Sequence, residues 1–212
     1  DGESWHYLVG GPEDGETILL LHGFGGEKDN WNRFLGHLTG EYRVIVPDLP
    51  GFGESARHPD WDYSLVPQRD RVHAFVTALG LTRFHLAGHS MGGHLSILYA
   101  LEYPEQLASL ALINNAGIVS PVASEFMRNV NAGNNNLIIR TRDDFDSMMA
   151  MVFEERPFAP WPMRKGLAAR AIANADLNEV IFTSLRRDFE ESLESRLPDI
   201  PCPVLIVWGD ND

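Results

Sequence analysis

Cysteine is nearly missing: one residue, Cys202, stands in 212, so neither an internal disulfide framework nor a cysteine-rich metal site can be built. It begins the apolar run of PCPVLIVWG and is expected to be a small buried residue. No run of about 18 apolar residues occurs, so no membrane-spanning helix is expected. Positive charge is scarce as well. Seventeen Lys and Arg stand against 30 Asp and Glu, and the net charge of −13 argues against an electrostatic grip on nucleic acid or anionic lipid. The acidity is read as solubility. The first residue is Asp1 rather than Met, so an export signal or membrane anchor cannot be judged, and the chain is read as a piece of a longer one. Histidine is absent from more than half of the chain, since all eight (His6, His22, His37, His58, His73, His85, His89, His94) precede residue 95.

What is present suits one sizeable domain with an inserted subdomain, and 44% hydrophobic residues supply its core. Short, mostly apolar runs at Thr17–Leu21, Tyr42–Val46, Phe84–Ala87, Leu107–Ile113 and Val204–Trp208 read as parallel strands buried on both sides. Helical patterns separate them. Asp29–Leu38 opens with capping residues, Ser64–Leu79 places Val72, Phe75, Val76 and Leu79 on one side, and Met91–Tyr103 stops before Pro104. The expected fold is α/β, a mostly parallel open sheet flanked by helices.

Strand-like runs vanish between about Ile118 and Arg196. Helices are expected around Arg142–Phe153, Met163–Ala175 and Leu177–Arg196, with GNNN at Gly133–Asn136 and RPFAPWP at Arg156–Pro162 between them. The domain boundaries are therefore a core over 1–117, an inserted helical cap over 118–196, and a return to the core over 197–212.

The chemistry is concentrated at FHLAGHSMGG. Gly88-His89-Ser90-Met91-Gly92 matches Gly-x-Ser-x-Gly with a strand before it and a helix after it. In so tight a turn the serine backbone is strained, and Gly88, Gly92 and Gly93 leave room for the neighbouring strand and helix. Ser90 becomes a candidate nucleophile at the tip, and the Met91 amide, at the start of the helix, a candidate oxyanion donor. LLLHGFGGEKDNW, Leu19 to Trp31, ends a strand in a glycine loop, and the Phe24 amide is the natural second donor. His22 is expected to hold that loop by hydrogen bonds rather than act as a base. Asp48, in VIVPDLPGFGES, suits a carboxylate that fixes a turn by accepting backbone N–H bonds. At the chain end, PVLIVWGDND places carboxylates on a loop at the same sheet edge as Ser90; Asp212 is the candidate acid, with Asp210 second.

Taken together, His22–Gly26, Pro47–Ser55, Gly88–Gly93 and Trp208–Asp212 resemble the α/β-hydrolase superfamily in order and spacing. Within it, HGFGGEKDNW, NNAGIVSP and the style of the cap resemble the monoacylglycerol-lipase-like bacterial lipases and esterases. The resemblance implies a serine hydrolase that cleaves carboxylic esters through an acyl-enzyme intermediate. It implies Ser90 as nucleophile, Asp212 as acid by its place in Gly-x-x-Asp, oxyanion amides from Phe24 and Met91, and no metal or organic cofactor. Some relatives carry the acid after the preceding strand, where this chain has Asn114-Asn115. The family's base follows its acid, so the catalytic histidine is expected beyond residue 212, with His89 and His94 poorly placed to replace it. The expected partner is a small-molecule ester with an apolar acyl group. Met148, Met149, Met151, Phe153, Phe158 and Trp161 offer an adaptable apolar wall for it, or else pack the cap's own helices. The alternatives are a carbon–carbon bond hydrolase of meta-cleavage products and a non-catalytic member that only binds.

Overall fold

The middle of the sheet is where the sequence is most apolar. In the computed structural model, which describes residues 4–119, 121–189 and 192–210, Leu19, Leu20 and Leu21 lose all contact with solvent, as do Ile45 and Val46. They belong to β2 (Thr17–Leu21) and β3 (Arg43–Pro47). The other strands are β1 (Tyr7–Gly10), β4 (Phe84–His89), β5 (Leu107–Ile113) and β6 (Val204–Val207), in the spatial order β1-β3-β2-β4-β5-β6. Every pairing is parallel except that of β1 with β3. The expected mostly parallel sheet is thus present. The antiparallel β1 was not anticipated, because four half-exposed residues on an edge carry too little pattern to stand out.

Because side chains alternate along a strand, one face of β2 and β3 supplies Leu20, Val44 and Val46 to a cluster with Trp31 and Ala87. Leu35 and Leu38 of α1 (Asn32–Leu38) pack against that cluster. α3 (Met91–Glu102) lies against β4 and β5 and beside α2 (Leu65–Ala78). It is buried all round from Met91 to Ala100, as befits a helix apolar on every side. Ser64 precedes α2 but makes no side-chain cap; the Leu65 amide instead donates to the carboxylate of Asp188 at 2.6 Å.

Burial on both faces holds for β2 and β3 but not for β6. Its residues are all exposed, with Ile206 at 64%. Among the described residues β6 pairs with β5. Cys202, just before it, is half-buried rather than buried, and that partial burial raises its thiol pKa.

The chain divides into two compact units, one made of Asp1–Val119 with Ser184–Gly209, the other built on Ser120–Thr183. In the second unit α4 (Glu125–Asn131), α5 (Arg142–Val152) and α6 (Trp161–Ala173) lead to α7 (Ala175–Phe189), whose last residues belong to the first unit. The helix expected to continue to Arg196 is interrupted: residues 192 and 193 are non-helical, and a separate 3-10 turn occupies Glu194–Asp199. α5 begins with a full capping box, Thr141 and Asp144 bonding each other's backbone amides. Ile139, Phe145 and Ala168 form one small buried cluster of this unit, against which Met148 and Met149 pack. These two methionines serve helix packing, whereas Phe158 and Trp161 are 83% and 68% exposed.

Candidate active site

Ser90 joins β4 to α3 with φ 53° and ψ −118°, a conformation that costs an L-residue energy and survives only where its surroundings enforce it. Those surroundings are specific. The Ser90 amide donates to the Ile113 carbonyl at 3.1 Å, and the Ser90 carbonyl accepts from the amides of Gly93 (2.9 Å), Ala116 (3.0 Å) and His94 (3.2 Å). The turn is held on one side by the end of β5 and on the other by the first turn of α3. Neighbouring glycines allow the approach: a Cβ on Gly88 would lie 2.2 Å from the Gly92 carbonyl oxygen, and one on Gly92 2.5 Å from that of Leu21.

Met91, the first residue of α3, follows the serine directly and is buried. The Phe24 loop comes to the same place by a different route. Parallel pairing sets Leu21 opposite Gly88, so the chain leaving β2 runs alongside the serine turn. A Cβ on Gly23 would come within 3.1 Å of the Ser90 Cβ. The structure thus brings together Ser90, Met91 and the loop carrying Phe24, whose ring meets Phe52 edge-on with centroids 5.8 Å apart. Asp212 lies outside the described residues. Asp210 is exposed, in the turn that follows β6. At the alternative acid position, Asn114 has a positive φ of 43° and donates its amide to Val207, and Asn115 is buried and donates its side-chain amide to the Ala116 carbonyl.

His22 is locked. Its Nε2 accepts the Leu49 amide at 3.0 Å, which leaves the proton on Nδ1 to be donated to the Gly23 carbonyl at 2.8 Å. Burial drives its pKa down to about 4, against the opposing pull of the Gly23 hydrogen bond, so the ring is neutral at pH 7. His94, buried in α3 with its ring against Gly117, is likewise lowered to about 4 by burial.

Asp48 is fully buried and accepts the amides of Lys28 (2.6 Å, Oδ1) and Glu54 (2.8 Å, Oδ2), which is turn fixing of the kind its position suggested. Sequence reasoning missed its partner. Lys28 is only 8% exposed, and its Nζ donates to Asp48 Oδ2 at 3.0 Å and to Glu54 Oε2 at 2.7 Å. Burial pulls the Lys28 pKa down, but the hydrogen bonds it donates to Glu54 and Asp48 outweigh it and hold the ammonium above its ordinary value. A lysine in GGEKDNW carries no local sign of burial; the only hint is its spacing from His22 on a loop facing an Asp-Leu-Pro-Gly turn. Among the described residues, no cluster of three or more His, Cys, Asp or Glu is arranged to hold a metal ion.

With a parallel sheet, a serine at a strained strand-to-helix turn and a glycine loop beside it, the class is set, and comparison agrees. The model of the alpha/beta hydrolase fold family matches residues 16–140, and the chain belongs to that family. The chain is 37% identical to Lipase 1 of Psychrobacter immobilis over its full 212 residues, which cover 67% of that relative. It is 30% identical to Monoacylglycerol lipase abhd6-A of Xenopus laevis, with 96% of this chain matching 63% of the relative. Among solved structures, a membrane phospholipase A described as a bacterial virulence factor superposes with a TM-score of 0.93 at 43% identity, over 99% of this chain and 70% of that one. The chain therefore spans about two thirds of the length of these relatives.

Proposed function

We propose that the protein is a carboxylic-ester hydrolase of the lipase type, acting on lipid esters with an apolar acyl group, and that Ser90 is its nucleophile. The observation that carries this is the Ser90 backbone at φ 53°, held from both sides between β4 and α3. Such a turn leaves the hydroxyl at the carboxyl edge of the sheet, beside the first amides of a helix. The names of the relatives, a lipase and a monoacylglycerol lipase, support an ester of a fatty acid as substrate.

In this reaction Ser90 Oγ bonds to the acyl carbon while its proton passes to a general base, and the carbonyl electrons move onto oxygen. The Phe24 and Met91 amides receive that oxyanion. Collapse expels the alcohol, which takes the proton, and water then repeats the sequence to release the acid and restore Ser90. His22 is excluded as base by its two hydrogen bonds, and His94 by its burial beside Gly117. In the family's order the base is a histidine that follows the acid, here Asp212. The helices of 118–196 act as the cap that selects the acyl chain.

The test is a panel of p-nitrophenyl esters of increasing chain length and a monoacylglycerol, given to the complete gene product and its Ser90→Ala variant. Turnover by the first and not the second is expected, as is labelling of Ser90 by a fluorophosphonate. Cleavage of a dienoate diketone with no ester turnover would replace this function with carbon–carbon hydrolysis. Equal behaviour of the two proteins towards the fluorophosphonate would reduce it to binding.

A further inference from the structure

We infer that Lys28 is a positioning residue of the hydrolytic reaction: its buried ion pair with Asp48 anchors the far end of the loop whose Phe24 amide receives the oxyanion. The inference rests on the ester-hydrolase function proposed above.

The loop needs anchoring. Between His22 and Glu27 the chain reads Gly-Phe-Gly-Gly, and Gly25 has φ +68°, so three of four residues impose little restriction of their own. Within it the Gly26 amide donates to the Gly23 carbonyl at 3.0 Å. Both ends are instead fastened to the segment after β3. At the near end His22 Nε2 takes the Leu49 amide. At the far end the Lys28 amide donates to Asp48 Oδ1 at 2.6 Å and its ammonium to Asp48 Oδ2 at 3.0 Å, so one residue grips the carboxylate through backbone and side chain together.

Asp48 is a fixed post. Its amide donates to the His6 carbonyl at 2.8 Å, its own carbonyl accepts the Ser55 hydroxyl at 2.7 Å, and a Cβ on Gly53 would come within 2.1 Å of its carboxyl carbon. Charge is what makes the grip firm. A buried carboxylate bonded only by amides would be uncompensated, whereas the Lys28 ammonium neutralises it and Glu54 shares the cation from the solvent side. Without the ammonium, the Asp48 carboxylate stays buried with its charge uncompensated, and its hold on the loop weakens. An oxyanion donor is effective only when placed in advance, so slack in this loop costs the transition state more than it costs substrate binding.

The experiment compares Lys28→Met, Lys28→Arg and Lys28→Met/Asp48→Asn in the complete gene product. It reads kcat and KM for p-nitrophenyl butyrate, the rate of fluorophosphonate labelling at Ser90, and Tm. Lys28→Met should lower kcat about tenfold or more with KM within about twofold, and labelling should slow in parallel, because the phosphonyl oxygen uses the same amides. Lys28→Arg should recover most of kcat. The double variant, having no buried charge left unpaired, should regain much of its Tm without regaining kcat. A double variant with native Tm, kcat and labelling rate overturns the inference, as does a Lys28→Met effect confined to KM or to Tm. If the wild-type protein turns over no ester, the proposed function fails, and the labelling rates alone still decide whether Lys28 positions the loop.

Discussion

Replacing Ser90, the proposed nucleophile, should make the protein more stable, provided the replacement is glycine. Ser90 is held at φ 53° and ψ −118°, where a Cβ is strained and glycine is not. Relief of such strain is worth about 1–3 kcal/mol. Glycine gives back roughly 0.5–1 kcal/mol through the larger freedom of its unfolded chain. The net gain for Ser90→Gly is therefore about 1 kcal/mol, which for a domain of 150–250 residues moves Tm by roughly 2–4 °C. Ser90→Ala keeps the Cβ and the strain, and should melt within about 1 °C of the parent by the same conversion. Both variants lose ester hydrolysis, so activity cannot distinguish them and differential scanning calorimetry can. Equal Tm values for the glycine and alanine variants, or a lower one for glycine, would refute the argument that the turn is strained against its own side chain.

Gly92→Ala should have the opposite effect. Its Cβ would press on the carbonyl oxygens of Leu21 and His22 at 2.5 and 2.6 Å, both main-chain atoms of the central strand and the loop after it, and a loss of about 3 kcal/mol or more is expected in urea midpoints. Gly36→Ala, in the middle of α1 with no heavy atom within 4 Å of the new Cβ, should instead gain about 0.5–1 kcal/mol, so the pair of melts separates crowding from helix propensity. Acid should unfold the protein partly through its buried histidines. His22 and His94 are lowered to about 4 in the fold from 6.5, so the unfolded chain binds more protons between those values. Their contribution is complete above pH 6.5 and is lost as pH falls towards about 4, up to about 3 kcal/mol each. Thermal melts between pH 7 and 4.5 should show the fall, and His94→Gln should flatten it; a Tm indifferent to pH over that range would contradict the burial argument.

Where burial and sequence pattern coincide, little was hidden. β2 and β5 occupy the residues their apolar runs suggested, and α3 opens at Met91 immediately after the serine. The serine turn was legible because its requirement is local: small residues two before and two or three after a nucleophile, with a strand on one side and a helix on the other. Val204–Trp208 is exposed among the described residues although its apolar run suits burial. An apolar run reports what a strand is suited to, while its burial depends on which elements cover it. The helix expected through Arg196 gives way to non-helical residues 192 and 193 and a separate 3-10 turn over Glu194–Asp199.

The sequence by itself therefore determined the alternation of strands and helices, the strained serine and the glycine loop beside it, because each depends on steric and hydrophobic relations among residues close along the chain. Tertiary structure decided the rest. It chose Asp188 rather than Ser64 to cap α2, although 123 residues separate donor from acceptor. It buried Lys28 by setting it against Asp48 and Glu54, 20 and 26 residues away. Only the parallel pairing of β2 with β3 and β4 delivers both the Asp48 loop and the Ser90 turn to the chain leaving β2. Charge pairs and caps of this kind arise from the meeting of distant segments, and a buried cation is stable only where that meeting supplies its counter-charge.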